Sequence, residues 1–248
     1  MKNIFYIIVL VITQITLAQG NFEKGNDLYQ KGKYKEAIAA YESILQNKQQ
    51  SAEVYFNLGN CYYKLNQVAP AIYNYEKALV LHPENEDVLN NLKFAQKKTI
   101  DEIKEVPKVG FAKLLRDFTG IYHYNTWAWM AVVFATVFLL CFLGYYFSQI
   151  TLTKRAYFYG MFFFLLAVLV SVSAALFEKS HFENEKPAIV FAAIAEVYSE
   201  PQKASTTAMV LHEGTKVYVM ETVSNWKKIQ LTDGTEGWIE SRAIKEVK

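Results

Sequence analysis

The sequence predicts a multi-domain membrane protein: an α-helical solenoid, a two-helix transmembrane hairpin and a small all-β barrel, in that order. Three observations carry this prediction. Segment 21–98 is self-similar at an offset of 34 residues, two long stretches carry no charge, and the hydrophobic period changes from 3.6 to 2 from residue 187 onward. The 248 residues are 52% apolar, 15% aromatic and only 20% charged. Such a composition excludes a disordered chain and exceeds the apolar share of an ordinary soluble domain. The net charge of +2 is unevenly divided: 12 bases meet 12 acids over 19–108, 9 meet 11 over 178–248, and the surplus lies beside the apolar runs. No soluble segment carries the basic stripe that nucleic-acid binding requires, so nucleic acid is not an expected partner. Cys61 and Cys141 give no disulfide framework and read as small apolar core residues.

Residues 1–18 begin Met-Lys, continue through an apolar stretch from Ile4 to Ile12 and end Thr16-Leu17-Ala18. A basic start, a short apolar run and small residues three and one positions before the break are the parts of a secretory signal peptide, cleaved after Ala18. An uncleaved anchor is the other reading, but Thr13 and Gln14 interrupt a run already short for a span.

The repeat region occupies 19–106. Gly25 and Gly59, Leu28 and Tyr62, Ala37 and Ala71, and Tyr41 and Tyr75 each stand 34 apart. The second copy is cleaner, with Tyr55, Leu58 and Tyr62 on one helical face, Gly59 and Ala71 small where helices meet, and Pro83 ending the second helix. A terminal helix starts near Glu86, with Leu89 and Leu92 in phase and polar Gln96, Lys97 and Lys98 closing the stack. These residues resemble the tetratricopeptide (TPR) pattern. That resemblance implies a concave groove lined by first helices, which falls on Phe22, Glu23, Asn26, Tyr29, Phe56, Asn57, Asn60, Tyr63, Lys64 and Asn91. The asparagines suit an extended peptide backbone, because an amide both donates and accepts. A clamp for a terminal carboxylate would want lysine where Phe22 stands.

Trp127 to Phe147 and Ala156 to Phe177 are uncharged runs of 21 and 22 residues, each roughly 30 Å long as a helix and so the thickness of a hydrocarbon core. Tyr122, Tyr124, Trp127, Trp129, Tyr145, Tyr146, Tyr157 and Tyr159 cluster at their ends, as interfacial belts do. A transmembrane hairpin over 126–178 follows, joined by a loop Ser148–Arg155. Neither span carries an internal ionisable group, which argues for an anchor rather than a transport path. Ala131 and Ala135 make a small-residue pair suited to helix association. Segment 107–125 holds an apolar face of Phe111, Leu114, Leu115, Phe118, Ile121 and Tyr122, which reads as an interfacial linker lying on membrane lipid, hinged at Pro107 and Gly110. Cleavage of the signal would put the repeats and the C-terminus on the same, non-cytoplasmic side.

Over 187–248 Val217 and Val219 alternate with Tyr218 and Met220, and Glu213-Gly214 and Asp233-Gly234 mark turns. Leu211-x-x-Gly214, Trp226-x-x-Ile229 and Gly237-Trp238-Ile239 resemble the bacterial SH3 pattern. The resemblance implies an SH3-like barrel in which Tyr198, Trp226 and Trp238 line a groove for a peptide, peptidoglycan peptide being the ligand of many relatives. The other reading places both tryptophans in the barrel core, and Trp238 is the one expected there.

No nucleophile elbow, His-Glu-x-x-His or Cys-x-x-Cys is present, and His82, His123, His181 and His212 are scattered, so neither an enzyme, a metal nor a cofactor is expected. The whole order of modules resembles the BatE-type proteins of bacteroidete aerotolerance (Bat) operons. That resemblance implies a bacterial inner-membrane protein with two spans and periplasmic soluble modules. It also implies other Bat-type membrane proteins, with von Willebrand A-type domains, as partners in envelope-stress tolerance. The expected function is a non-enzymatic scaffold; the alternative is a cell-wall sensor acting through the barrel.

Overall fold

The computed structural model describes residues 20–46, 50–103 and 110–248. The signal-peptide segment and Pro107 lie outside them. The described residues form two compact units: the helical repeats together with the β-domain, and the segment from Pro107 to Glu185 inserted between them.

Five helices build the repeat region: α1 over residues 20–30, α2 Tyr34–Gln46, α3 Ala52–Lys64, α4 Val68–Leu81 and α5 Glu86–Gln96. The 34-residue period is written into the backbone. Gly32 (φ 73°) and Asn66 (φ 60°) stand 34 apart, and each sits in left-handed conformation just past a helix. There the N–H of residue 32 or 66 reaches back to Tyr29 or Tyr63, and that of the next residue to Leu28 or Tyr62. Ser51 and Asn85, again 34 apart, cap α3 and α5 by accepting from the amides of Val54 and Val88. Gly25 and Gly59 let the neighbouring helix approach: a Cβ on them would stand 2.4 Å from the Tyr41 ring and 2.5 Å from the Tyr75 ring.

The core of this layer holds Ala37, Tyr41, Ile44, Leu58, Cys61, Ala71, Ile72, Tyr75, Val88 and Leu92. The terminal helix keeps the phase of the repeat, but not every residue of the expected face is covered. Val88, Leu92 and Ala95 form the buried stripe of α5, while Leu89 is 36% exposed. Leu89 occupies the register of Tyr55, but among the described residues no second helix of its own repeat follows α5 to cover that position.

The β-domain is one sheet of seven strands: β1 Pro187–Val190, β2 Ile194–Tyr198, β3 Thr207–His212, β4 Lys216–Val223, β5 Trp226–Gln230, β6 Glu236–Glu240 and β7 Ile244–Glu246. Their order is β3-β2-β6-β5-β4-β1-β7, with antiparallel pairings throughout. This arrangement is consistent with an SH3-like domain. Gly214 (φ 89°) and Gly234 (φ 88°) make the two turns read from the sequence. Ala188, Val190, Ala195, Val197, Leu211, Val217, Val219, Ile229, Leu231, Ile239 and Ile244 fill its interior.

The repeats and the sheet are not independent modules. All four residues of β1 are buried. Because side chains alternate along a strand, Ala188 and Val190 face the barrel interior while Ile189 joins the helical core, together with Val247. Each fully buried aliphatic side chain contributes roughly 1.5–3 kcal/mol. The seam carries polar contacts as well. Lys216 Nζ donates to both carboxylate oxygens of Glu76 on α4 at 2.8 Å. Asp101 accepts from the His212 amide at 2.7 Å, approaches His212 Nδ1 at 2.7 Å and accepts from Thr215 Oγ1 at 2.5 Å. Tyr73 meets Phe191 edge-on at 5.6 Å, and Lys245 Nζ lies 4.3 Å from the Tyr73 ring centroid. The stack is therefore covered by the sheet, in addition to α5.

The inserted unit contains α6 Phe111–Thr119, α7 Tyr124–Phe147 and α8 Thr151–Asn184. Helices α7 and α8 are long and apolar enough to cross a membrane. The expected loop Ser148–Arg155 contracts to Ser148–Ile150, because α8 begins at Thr151 and carries Lys154 and Arg155 in its first turns. Of the expected small-residue pair on α7 only Ala131 is buried, as Ser171 and Ala174 are on α8, whereas Ala135 is exposed. Gly144 admits the Tyr157 ring, which a Cβ there would approach to 2.7 Å. Trp127 Nε1 donates to the Thr119 carbonyl at 2.7 Å, and Arg116 pairs with Glu185 at 3.2 Å, tying α6 to the start of α7 and the end of α8. Phe111 and Leu114 on α6 remain 79% and 68% exposed.

Candidate functional site

The concave face of the repeats is organised by an asparagine–tyrosine ladder. Asn26 Oδ1 accepts from Tyr41 Oη at 2.6 Å and from Asn57 Nδ2 at 3.1 Å. One repeat later Asn60 Oδ1 accepts from Tyr75 Oη and from Asn91 Nδ2, both at 2.8 Å. Tyr41 and Tyr75 are buried at 0% and 1% exposure. Burial pushes the Tyr41 hydroxyl up to about 12 and raises that of Tyr75 as well, so both stay protonated and donate.

The ladder changes the expected role of the asparagines. Asn26 and Asn60 hold the tyrosines and tie consecutive first helices together. Asn57 and Asn91 each spend one amide hydrogen on that link, which does not use their carbonyl oxygens.

At the second rung the face opens into a cavity of about 220 Å³ lined by Tyr29, Asn60, Tyr63, Lys64, Tyr75, Asn91 and Phe94. Five of the expected groove residues, Tyr29, Asn60, Tyr63, Lys64 and Asn91, meet there. Phe22 and Phe56 do not; they pack on Tyr41 and Tyr75 at 5.9 Å and 6.1 Å between ring centroids and stiffen the ladder from one side. Asn26 and Asn57 belong to the first rung. Phe94, 54% exposed, was missed by sequence reasoning. It stands 34 residues after Asn60, so the repeat arithmetic itself would have placed it on this face. Lys98 Nζ lies 4.0 Å from the Tyr63 ring centroid and Lys97 Nζ lies 5.5 Å from that of Phe94.

A second aromatic cluster lies on the β-domain. Tyr198 pairs with Trp238 across β2 and β6, and its ring meets Trp226 edge-on at 5.4 Å. Gly237 and Ile239 are buried while Trp238 is half-buried, which puts Trp238 on the outer face rather than in the core. The period of 2 forces this: once Ile239 faces inward, its neighbour faces outward. Lys228 lies opposite Trp238, and Tyr198 Oη donates to Glu196.

Among the described residues no group of three His, Cys, Asp or Glu side chains is arranged to hold a metal ion. Cys61 is fully buried, and burial pushes its thiol up to about 12.

Comparison with known proteins agrees with this geometry. Residues 25–66 match the TPR repeat family, residues 52–85 the tetratricopeptide repeat family, and residues 192–246 the bacterial SH3 domain family. The chain contains TPR repeats and a bacterial SH3 domain. Curated relatives include sperm-associated antigen 1 of Mus musculus, 35% identical over 35% of this chain and 10% of that protein. Tetratricopeptide repeat protein 16 of Homo sapiens is 31% identical over 28% and 8%, and the Hsp70-Hsp90 organizing protein of Triticum aestivum is 36% identical over 27% and 12%. The chain thus spans about a tenth of the length of the curated relatives it matches. TPR repeats of this kind point to a protein–protein interaction scaffold, and the SH3 domain fits cell-wall binding.

Proposed function

We propose that this chain is a membrane-anchored scaffold that holds a protein partner in its TPR groove. The observation that carries the reading is the cavity at the second rung, where Tyr29, Tyr63 and Phe94 line the same space as Asn60 and Asn91, which the ladder holds in place. A preorganised site of that kind binds without the cost of ordering its own side chains. Helices α7 and α8 anchor the protein as a two-span hairpin in a bacterial inner membrane. The signal peptide directs repeats and SH3 domain to the periplasm. The partners are membrane proteins of Bat type, in an envelope-stress complex of the aerotolerance kind. The catalytic role is nil.

The test is affinity capture from detergent-solubilised membranes with the full-length protein beside its Tyr63→Ala/Phe94→Ala variant, read by mass spectrometry. Membrane proteins retained by the parent and lost from the variant support the reading; an unchanged list refutes it. Asn60 is unsuitable for this purpose, because its loss leaves the buried Tyr75 hydroxyl without its acceptor.

The outer cluster of Tyr198, Trp226 and Trp238 favours a second reading, a sensor that binds peptidoglycan peptide through the SH3 domain. Co-sedimentation of the detergent-solubilised full chain with purified cell wall, reduced by Trp226→Ala, would support it.

A further inference from the structure

The concave face carries a charge pattern that repeats with the fold. On α3 the residues at steps of four, three and four are Glu53, Asn57, Asn60 and Lys64; on α5 the equivalents 34 residues on are Asp87, Asn91, Phe94 and, just past the helix, Lys98. Each series thus starts with an acid and ends with a lysine eleven residues later, about 16 Å away along a helix. The cavity opens at the lysine end, since Lys64 lines it and Glu53 does not. Lys97 and Lys98 lie over the rings of Phe94 and Tyr63, two of its walls. Lys98 also donates to Asn66 Oδ1 at 3.0 Å. Among the described residues none of Lys64, Lys97 and Lys98 is paired with a carboxylate. The acids nearest in register on α1 do not neutralise this end either: Asp27 is engaged by Lys31 at 2.6 Å, and Glu23 lies two helical turns toward the N-terminus from Gln30, the residue in the register of Lys64.

Resting on the groove reading above, we infer that the ligand of this cavity is a peptide segment with one large apolar side chain flanked by acidic side chains. The apolar group enters between Tyr29, Tyr63 and Phe94, a space of about 220 Å³ that takes a single Phe or Leu side chain. The flanking carboxylates meet Lys64, Lys97 and Lys98. The carbonyl oxygen of Asn91 and the amide hydrogens of Asn60, free of the ladder, take the peptide backbone. The acids sit within the segment rather than at a chain terminus, because three ammonium groups spread along the rim match several side chains better than one end group. Like-charge repulsion from the acidic ends of α3 and α5 orients the segment and rejects the reverse placement.

The test is fluorescence anisotropy of labelled decapeptides, blocked at both ends, against the full-length protein in detergent. The panel holds an Asp/Glu-rich peptide around one Phe, the same peptide with Ala for Phe, a Gln-for-Glu version and a Lys-for-Glu version. The acidic Phe peptide should bind at least tenfold more tightly than the others and lose affinity as salt rises. Lys64→Glu/Lys98→Glu should weaken it tenfold or more, and Lys64→Gln/Lys98→Gln by less; both lysines are exposed. Equal or tighter binding of the neutral or basic peptides, with Tyr63→Ala/Phe94→Ala still abolishing it, would overturn the acidic ligand class and leave the groove reading standing. Failure of all four peptides to bind, or binding indifferent to Tyr63→Ala/Phe94→Ala, would overturn both. A fifth peptide, the acidic Phe sequence with a free C-terminus, should bind no more tightly than its blocked form; binding that requires the free carboxylate would overturn the internal acidic segment and leave the groove reading standing.

Discussion

Glu76 and Lys216 are 140 residues apart in sequence and 2.8 Å apart in space, and their contact joins the second TPR repeat to the SH3 domain. The Glu76 carboxylate is 8% exposed and the Lys216 side chain 27%. Taking the lysine away would leave a nearly buried carboxylate without its counter-charge. Full burial of such an orphan costs about 3–5 kcal/mol, and the partial exposure of Lys216 lowers the expected figure to about 2 kcal/mol. Lys216→Ala should therefore lower the denaturation midpoint clearly, and should separate the melting of the sheet from that of the helices. Glu76→Gln/Lys216→Gln should recover part of the loss, as a double-mutant cycle in urea would read.

Two glycines of the same backbone class test the seam from another side. Gly214 and Gly234 both have φ near +90°, so alanine costs each of them roughly 1 kcal/mol of backbone strain. A Cβ on Gly214 would also stand 2.9 Å from Thr99 Cγ2 and 3.1 Å from Val68 Cγ1, whereas one on Gly234 meets nothing. Gly214→Ala should destabilise by about 1–2 kcal/mol more than Gly234→Ala. Equal effects in thermal melts would show that the helices do not press on this turn.

The ladder predicts what Tyr75→Phe does. The substitution keeps the packing of a buried ring and deletes one donor to Asn60 Oδ1, which retains Asn91. Stability should fall by about 1 kcal/mol. Gly59→Ala drives a methyl into the same ring at 2.5 Å and should cost more, about 2–3 kcal/mol. Chemical denaturation of both variants ranks them.

Acid should loosen the seam at Asp101. Burial pushes this carboxyl up, but hydrogen bonds from Thr215, the His212 amide and the His212 ring outweigh it and hold the group below the usual carboxylate range. The folded state therefore favours the ionised form. Its contribution is complete above the unfolded value of about 3.9 and is lost as pH falls through the lower folded value. Asp101→Asn should lower stability at pH 7 and flatten the acid limb of the stability–pH curve below about pH 4. A parallel downward shift at every pH would show that Asp101 keeps its ordinary affinity for protons in the fold.

Much of this was legible in the residues. The offset of 34 marks Gly25 and Gly59, and the sequence reads Gly59 as small where two helices meet; that a tyrosine ring, Tyr41 or Tyr75, is what crosses each glycine came from the packing. The two turns at Gly214 and Gly234 follow from their position between apolar alternations. Other features escaped for identifiable reasons. Asn26 and Asn60 look like free amides in the sequence, but their acceptors are 15 and 31 residues distant from the groups that use them. Leu89 follows the period of the repeat and is nevertheless exposed, since a period places a residue on a face and does not say what covers that face. Phe94 follows the same period on a helix whose end looked wholly polar.

What the sequence by itself determined is the kind and order of the elements: helical repeats, two long apolar helices, and a strand-rich C-terminal domain. These depend on local periodicity, turn residues and charge, all of which act within a few positions of the chain. Only the tertiary structure decided that TPR repeats and SH3 domain form one unit across an inserted hairpin, and that Trp238 faces outward. The run Ala188-Ile189-Val190-Phe191 is continuously apolar instead of alternating, a trace of a strand buried on both sides. The surface that would bury its second face lies more than a hundred residues earlier, on α4, and no local pattern encodes a contact between groups so far apart.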